Sequence, residues 1–357
     1  MRVVNLLPTA LTVLALLLAM SFFGQVKAPL LAITLAALLA AALNPAVRFF
    51  MRWGLLRGPA AGLTVLLGLG GLAGLGWLAV PPLVAQAADL LRELPTDLTQ
   101  LERRLERWTA RYPQLDFVAQ EDTLAALGQR AAGWVSGAAG TLLSVTGTLL
   151  AGVITGLVTL IMLLFVLANP VPLVRGLLGA LPAPQRAPAR QALAQMLTQM
   201  GAWGRATLLI MLIMGTVMAG GLFVLGVENW LLFGVLSALG ELVPNIGPVV
   251  AILPPILFTL ADDPQRALYV ALFSLVVQQI ESYVLAPFLL GGAAKMHPLS
   301  VTVGVLLFGS VFGLVGAFLT VPFLIVIKAV YGAFWLVRRP PVPEEEVQAL
   351  VDGEADG

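Results

Sequence analysis

Residues 239–255 read LGELVPNIGPVVAILPP and place an acid, an amide and several prolines inside apolar sequence. Proline lacks the amide donor that a helix interior needs, and the residue before a proline avoids helical geometry. We therefore expect the helix that arrives from Trp230 to break near Pro244, and a second helix to begin near Pro248. In hydrocarbon, the backbone groups freed by such a break persist only where they face protein or a wet cavity. A break beside the carboxylate of Glu241 is typical of a transport pathway, and a kinked, well-packed helix pair is the alternative.

The composition places the chain in a lipid bilayer. Of the 357 residues, 59% are hydrophobic and 11% are charged, and the mean hydropathy is +0.95. In a soluble domain about a quarter of the residues are charged. The net charge of +1 and the lack of a basic stripe argue against nucleic acid as a partner. We therefore expect membrane lipid around the protein.

The residue inventory argues against an enzyme, a metal centre and a bound cofactor. The chain has no cysteine and a single histidine, His297, so thiolate and multi-histidine metal sites are excluded. The HExxH, GxSxG and GK[ST] motifs of zinc proteases, serine hydrolases and phosphate loops are absent. We expect no catalytic residue and a loop or interface role for His297.

The apolar segments and charged loops predict an all-α integral membrane protein with about eight spanning helices and both termini in the cytoplasm. Four regions follow one another: N-terminal transmembrane helices (1–82), an extracytoplasmic helical insertion (83–140), a transmembrane core (141–337) and a disordered cytoplasmic tail (338–357). We expect the core to include a cytoplasmic amphipathic helix at 170–205 and broken or re-entrant helical hairpins. Every basic loop falls on one side in this arrangement, as the positive-inside rule requires.

The N-terminal region is expected to begin with an apolar hairpin. Residues 6–23 and 26–43 are its arms, and Gly24 and Gln25 form the turn. The following loop, 44–58, carries arginines and no acid, which places it in the cytoplasm.

The insertion at 83–140 lacks the cationic excess of a cytoplasmic loop, because acids outnumber basic residues within it. Four apolar residues recur at 3-4-3 spacing: Leu98, Leu101, Leu105 and Trp108. This spacing predicts a helix with one narrow apolar stripe. The stripe packs on the membrane face or, alternatively, forms a subunit contact or short coiled coil.

Two further hairpins are expected in the core. The arms 230–242 and 249–260 are shorter than the roughly 20 residues that a spanning helix needs, which favours a re-entrant hairpin over two crossings. The segments 299–312 and 314–336 form the last hairpin around the glycine-rich sequence GSVFGLVG.

Two interrupted places in the core are each preceded by an acid. Glu241 precedes Pro244, and Glu281 precedes Pro287. Half-helix ends offer unsatisfied donors and carbonyls, so paired broken helices commonly hold transporter binding sites. We expect two carboxylates and three amides around one cavity: Glu241, Asn245, Gln278, Gln279 and Glu281. Carboxylates suit protons or sodium ions, and amides suit a small polar solute. The alternative role for either acid is a structural ion pair with Lys295 or Arg205.

Three stretches resemble the AI-2E transporter family: ELVPNIGPVVAILPPIL (241–257), QQIESYVLAPFLLGG (278–292) and MHPLSVTVGVLLFGSVFGLVGAFLTVPFLIVIK (296–328). The resemblance extends in layout over nearly the whole chain. These residues fall on the family's pattern: Glu241, Pro244, Gly247, Pro248, Gln279, Glu281, Pro287 and Pro298. One departure is Gly204-Arg205-Ala206, where family members often carry Arg-Gly-Gln. If that glutamine contacts the solute in those members, we expect this protein to have a different substrate.

The resemblance implies a multi-pass protein of the bacterial inner membrane. Some members are linked to export of the quorum-sensing molecule autoinducer-2, and others to sodium or lithium/proton antiport. The resemblance also implies a homo-oligomer, with a pentamer as one expected form.

We therefore expect a secondary transporter that exports a small polar, autoinducer-2-like solute along a route lined by broken helices. A Na+(Li+)/H+ antiporter is the alternative. A membrane scaffold that binds a partner through the outer insertion is an alternative of another class. The route is expected to involve these residues: Glu241, Pro244, Asn245, Gly247, Pro248, Gln278, Gln279, Glu281, Pro287, Lys295 and Pro298.

Overall fold

The structure is a computed structural model, and it describes residues 7–74, scattered positions between 76 and 88, 156–290, 296–335 and 348. Within these residues every regular element is a helix, which confirms the prediction of an all-helical protein. Nearly all of the expected outer insertion and cytoplasmic tail lies outside the described residues, as does Lys295.

The described helices follow the chain in this order: α1 (Leu7–Arg52), α2 (57–74), α3 (Gly156–Ala168), α4 (Pro170–Gly179), α5 (Ala183–Val224), α6 (Trp230–Gly240), α7 (Gly247–Asp262), α8 (Pro264–Ile280), α9 (Ala286–Leu290), α10 (Pro298–Phe318) and α11 (Thr320–Phe334). A π-helical turn, Glu281–Leu285, joins α8 to α9.

By length and composition alone, four helical stretches of the described part could cross a membrane: Gly24–Arg52, Ala183–Val224, Pro264–Leu290 and Pro298–Phe318. The last of these is interrupted at Gly313. The pair α3 and α4, bent by 88°, adds a fifth if it counts as one span. The expected count of about eight spans and the cytoplasmic location of both termini stay predictions.

The expected hairpin at Gly24 and Gln25 is wrong, because α1 runs through both residues as one helix of 46 residues. Gly24 does not take the positive φ that would reverse the chain. An unbroken helix keeps its backbone hydrogen bonds internal, which an apolar environment favours over a turn. The chain first turns at 53–56, where Gly54 has a φ of 91°.

The polar segment 170–205 is not one separate amphipathic helix. It is divided between α4 and α5, and α5 continues through position 205 for 42 residues in all. Gly201 and Gly204 do not end α5 because they serve close packing on α1 instead. A Cβ at Gly201 would lie 2.7 Å from the carbonyl oxygen of Ala41.

Small residues hold α6 against α5 in an antiparallel arrangement. A Cβ at Gly215 would lie 2.8 Å from the Cβ of Ala238, and one at Gly234 would lie 2.5 Å from the Cβ of Ala219. Such close approach of two backbones is typical of helix pairs in membranes. Together with α7 and α8, these two helices enclose the site described below.

The expected broken hairpin around Pro244 is present. Its arms, α6 and α7, are antiparallel, because Gly240 contacts Gly247 at the break while the rings of Phe233 and Phe258 lie 6.0 Å apart further along. Both arms are shorter than the roughly 20 residues of a spanning helix.

The last hairpin turns where the glycine-rich sequence predicted. Gly313, inside α10, has a φ of 67° and reverses the chain, so that the following helical segment folds back on 298–312. Gly304 then lies against Thr320 and Leu324 of α11.

Candidate functional site

Glu241 lies directly after the last turn of α6, where the helix stops for a local reason. Val243 N–H donates to the Gly240 carbonyl at 3.0 Å in a tightened turn, and Pro244 then has no amide with which to continue the ladder. Asn245 adopts a φ of 66°, which completes the reversal. The close approach between the end of α6 and the start of α7 depends on glycine, because a Cβ at Gly247 would overlap the Gly240 carbonyl oxygen.

Glu281 opens the π-helical turn between α8 and α9. In this wide turn the amide of Ala286 donates to the carbonyl of Glu281. The interruption expected near Pro287 is this wide turn and not a full break, because helical structure continues to Leu290. The wide turn lies directly before Pro287, so it accommodates a residue that lacks an amide donor and crowds the preceding turn.

The two acids meet. The carboxyl groups of Glu241 and Glu281 lie within hydrogen-bonding reach of each other, and Gln278 Nε2 donates to the Glu281 carboxyl group. Glu281 is buried, and Glu241 is half-buried. Two carboxylates cannot donate to each other, so a hydrogen bond between them requires a proton.

A small crevice lies beside this pair, and its volume of about 10 Å³ is at the lower limit for holding one water molecule. Four side chains give it its polar lining: Ser237, Glu241, Ser274 and Gln278. Most of its remaining wall is apolar, with Met214 and Met218 from α5 and Ile252 from α7 among its members. Four helices, α5 to α8, therefore meet around one polar spot.

The sequence prediction missed Ser237 and Ser274. Each serine stands four residues before a polar residue of the site, Ser237 before Glu241 and Ser274 before Gln278. Side chains four residues apart lie on the same helix face. A search for serine at that spacing on the two apolar helices could have found them.

Asn245 and Gln279 do not line the crevice. Asn245 is exposed, and its Nδ2 donates to Thr302 Oγ1 on α10 at 3.3 Å. Gln279 is also exposed.

The prolines and Gly247 contribute to the site mostly through the backbone. Pro248 lines the crevice at the start of α7, and Pro244 lies half-buried in the break. Pro287 is exposed on α9. Pro298 begins α10, where His297 Nδ1 accepts from Leu299 N–H at 3.3 Å, so His297 has a capping role.

Within the described residues, neither glutamate forms an ion pair. The salt bridge found there joins Arg266 to Asp263, at the opposite end of α8 from Glu281. Arg205, one of the expected partners, directs Nη1 to the Ala41 carbonyl at 3.5 Å instead. The same part of the chain holds no cluster of three acidic, histidine or cysteine side chains that could bind a metal ion.

Comparison with known proteins relates the chain to one family of transport proteins. The profile of the AI-2E family of transporters matches residues 11–335. The chain is 30% identical to MT0215 of Mycobacterium tuberculosis over 311 residues, which cover 86% of this chain and 83% of that relative. It is 28% identical to YueF and 30% identical to YrrI, both of Bacillus subtilis, over 42% and 39% of its own length. These matches span 41% of YueF and 39% of YrrI. All three relatives are named as candidate transport proteins.

Proposed function

The chain belongs to the AI-2E transporter family, and from this premise we propose that it is a secondary transporter whose coupling site is the carboxyl pair of Glu241 and Glu281. It moves a small polar, autoinducer-2-like solute outward across the bacterial inner membrane. The observation that supports this proposal is the contact of two carboxyl groups at a broken helix, without an ion-pair partner among the described residues.

The chemistry of the pair suits coupling. Two carboxylates side by side in an apolar setting repel each other, so the pair requires a proton or a cation to balance its charge. Release of the proton to one side of the membrane leaves a charge that favours uptake of the next ion or polar group. The carboxyl pair then binds and releases the proton, ion or polar group in turn as the conformation of the helix break changes.

The hairpin of α6 and α7 is the part that we propose to move. Its arms contact each other at Gly240 and Gly247, where backbone meets backbone without side chains between them. The exposed tip is joined to α10 through Asn245 and Thr302. A shift of this hairpin would change access to Glu241 while α5 and α8 remain in place.

Na+(Li+)/H+ antiport is a second candidate function, and the size of the crevice favours it. The space beside Glu241 holds about one water-sized species, and its polar lining is serine, carboxyl and amide groups. Small hard cations prefer oxygen ligands. In this mode a proton and a sodium or lithium ion occupy the carboxyl pair in turn.

The test uses purified protein in proteoliposomes that contain a pH-sensitive dye. Under an imposed proton gradient, efflux of a labelled polar solute with proton movement supports export, whereas collapse of the gradient by sodium or lithium alone supports antiport. Glu281→Gln abolishes the proton signal in either case. Glu228→Gln is the matched control, because Glu228 is exposed and lies outside the site. Full proton coupling in Glu281→Gln would rule out the carboxyl pair as the coupling site.

We also propose that the protein works without enzymatic activity, as a homo-oligomer surrounded by lipid, with a pentamer as the expected form. Large apolar side chains are exposed along α2, α5 and α8, where lipid or a second copy would cover them. Native mass spectrometry from detergent measures the number of copies directly.

A further inference from the structure

The helices α1 to α5 carry positive charge without nearby acids in their own sequence. The stretches 7–74 and 156–227, which supply these helices, contain no aspartate or glutamate. They contain seven arginines: Arg48, Arg52, Arg57, Arg175, Arg186, Arg190 and Arg205. Within the described residues none of these arginines forms a salt bridge. The charge of this part of the protein therefore favours an anionic partner.

Arg57 is fixed at the corner where three helices meet. Its Nε donates to the Leu167 carbonyl near the end of α3 at 2.9 Å, and its Nη2 donates to Asn44 Oδ1 on α1 at 3.3 Å. A guanidinium group has five N–H donors, and only these two have a partner among the described residues. The two bonds fix the plane of the group, so the remaining donors are oriented in advance for a planar or tetrahedral anion such as phosphate.

Helix α4 begins beside this corner, at Pro170, and is bent by 88° relative to α3. With ten residues it is too short to span a membrane, so it lies along the surface of the bilayer if α3 crosses it. None of its residues is buried. Leu173 and Leu177 are exposed one turn apart on one face, and Arg175 is exposed on another. The helix therefore presents apolar groups and a cation together, as helices at a membrane surface do.

This combination of side chains distinguishes a lipid from a soluble anion. Trp53 and Leu56, in the turn that precedes Arg57, are exposed as well, and tryptophan is enriched at the interface between membrane and water. A soluble anion would pair with the arginines but leave these apolar groups in water. A phospholipid supplies acyl chains and a phosphate at once. The arginines repel the ammonium group of a zwitterionic headgroup, so a headgroup with net negative charge is favoured.

We propose that the corner formed by Arg57, Arg175 and the exposed face of α4 binds an anionic phospholipid. The phosphate accepts from the free donors of Arg57 and from Arg175, and the acyl chains cover Leu173 and Leu177. This lipid site is separate from the carboxyl pair, which lies between α6 and α8. The inference therefore goes beyond the proposed function and does not depend on it.

Native mass spectrometry of the purified full chain in a neutral detergent tests the proposal. Phosphatidylglycerol and phosphatidylcholine with the same acyl chains are titrated separately, and the Kd of the first lipid bound per chain is measured for each. We expect the Kd for phosphatidylglycerol to be at least tenfold lower. Glycerol 3-phosphate carries the phosphate without acyl chains, and a tenfold excess of it should not displace the bound phosphatidylglycerol.

Two variants locate the site. Arg175→Gln should raise the Kd for phosphatidylglycerol about fivefold, the effect of one arginine near an anionic surface, and leave that for phosphatidylcholine unchanged. Arg57→Lys keeps the charge but loses the guanidinium fork, and we expect a similar rise. Its melting temperature shows whether it folds without the bonds to Leu167 and Asn44. Arg175 has no hydrogen bond to another described residue, so Arg175→Gln tests the site even if Arg57→Lys is unstable.

Lys27→Gln is the control, because it removes one exposed positive charge roughly 25 Å away from Asn44 along α1. It should leave both Kd values unchanged. A loss in Lys27→Gln equal to that in Arg175→Gln would show general attraction to the protein and overturn the inference. Equal Kd values for the two lipids would also overturn it. Displacement of the lipid by glycerol 3-phosphate would do the same, because it would indicate a site for a soluble anion.

Discussion

The carboxyl groups of Glu241 and Glu281 lie within hydrogen-bonding reach of each other, and each stands at a place where its helix departs from α-geometry. Glu241 follows the end of α6, and Glu281 begins the π-helical turn after α8. The two distortions have different causes, Pro244 in one case and Pro287 in the other. Their common result is one acidic pair in contact with a crevice inside the helix bundle.

The carboxyl pair should behave as one functional unit. Glu241→Gln and Glu281→Gln are each expected to lower proton-coupled transport by about tenfold or more, and the double variant should add little to either change. Both single variants should be at least as stable as the wild type, because an amide in this setting carries no charge. Proteoliposome flux and thermal melting measure the two effects. Multiplicative losses in the double variant would show that the acids act separately.

The contact between Gly240 and Gly247 should tolerate no side chain. Gly247→Ala places a Cβ against the Gly240 carbonyl oxygen, and we expect a loss of about 1–3 kcal/mol in the free energy of unfolding. Gly220→Ala on α5 is the control, because no heavy atom lies within 4 Å of its new Cβ. That control should be neutral or stabilising by up to about 1 kcal/mol. Chemical denaturation in mild detergent compares the two variants.

The hydrogen bond between Asn245 and Thr302 should restrain the tip of the hairpin. Asn245→Gly keeps the backbone at φ 66° without strain but removes the donor, so transport rates should change while stability changes little. Thr302→Val should give the same transport rate as Asn245→Gly, and the double variant should match either single variant. Asn245→Ala should cost about 1–2 kcal/mol more than Asn245→Gly, because alanine disfavours the left-handed region. Different rates in the glycine and valine variants would exclude the bond as the restraint.

Pro287 should maintain the position of Glu281 through the wide turn. In Pro287→Ala the backbone can return to regular α-helical bonds, which rotates Glu281 relative to Glu241. We expect the transport rate to fall by about tenfold, because Glu281 is then misplaced. The melting temperature should equal or exceed that of the wild type, because a proline inside a helix is replaced. Pro264→Ala is the control, because that proline occupies the first turn of α8, where proline is well tolerated. Unchanged transport in Pro287→Ala would separate the wide turn from function.

Much of the site could be predicted from local sequence. Pro244 and Pro248 predicted the end of one helix and the start of the next to within a few residues, because a proline restricts the backbone of the residues next to it in the chain. Gly313 likewise gave the turn of the last hairpin. The hairpin expected at Gly24 was wrong, because a glycine permits a turn but does not require one. Gly201 shows the same ambiguity, since it serves a contact with Ala41 that lies far away in the sequence.

The sequence by itself determined that the chain is helical, that it is apolar enough for a membrane, and where its helices must break. These properties depend on composition and on the covalent chemistry of single residues. The tertiary structure decided which polar groups share a site: it brought Glu241 to Glu281, left Asn245 and Gln279 outside the crevice, and enclosed the hydroxyls of Ser237 and Ser274 without partners. That selection depends on how α5 to α8 pack and rotate against one another, which no residue specifies alone.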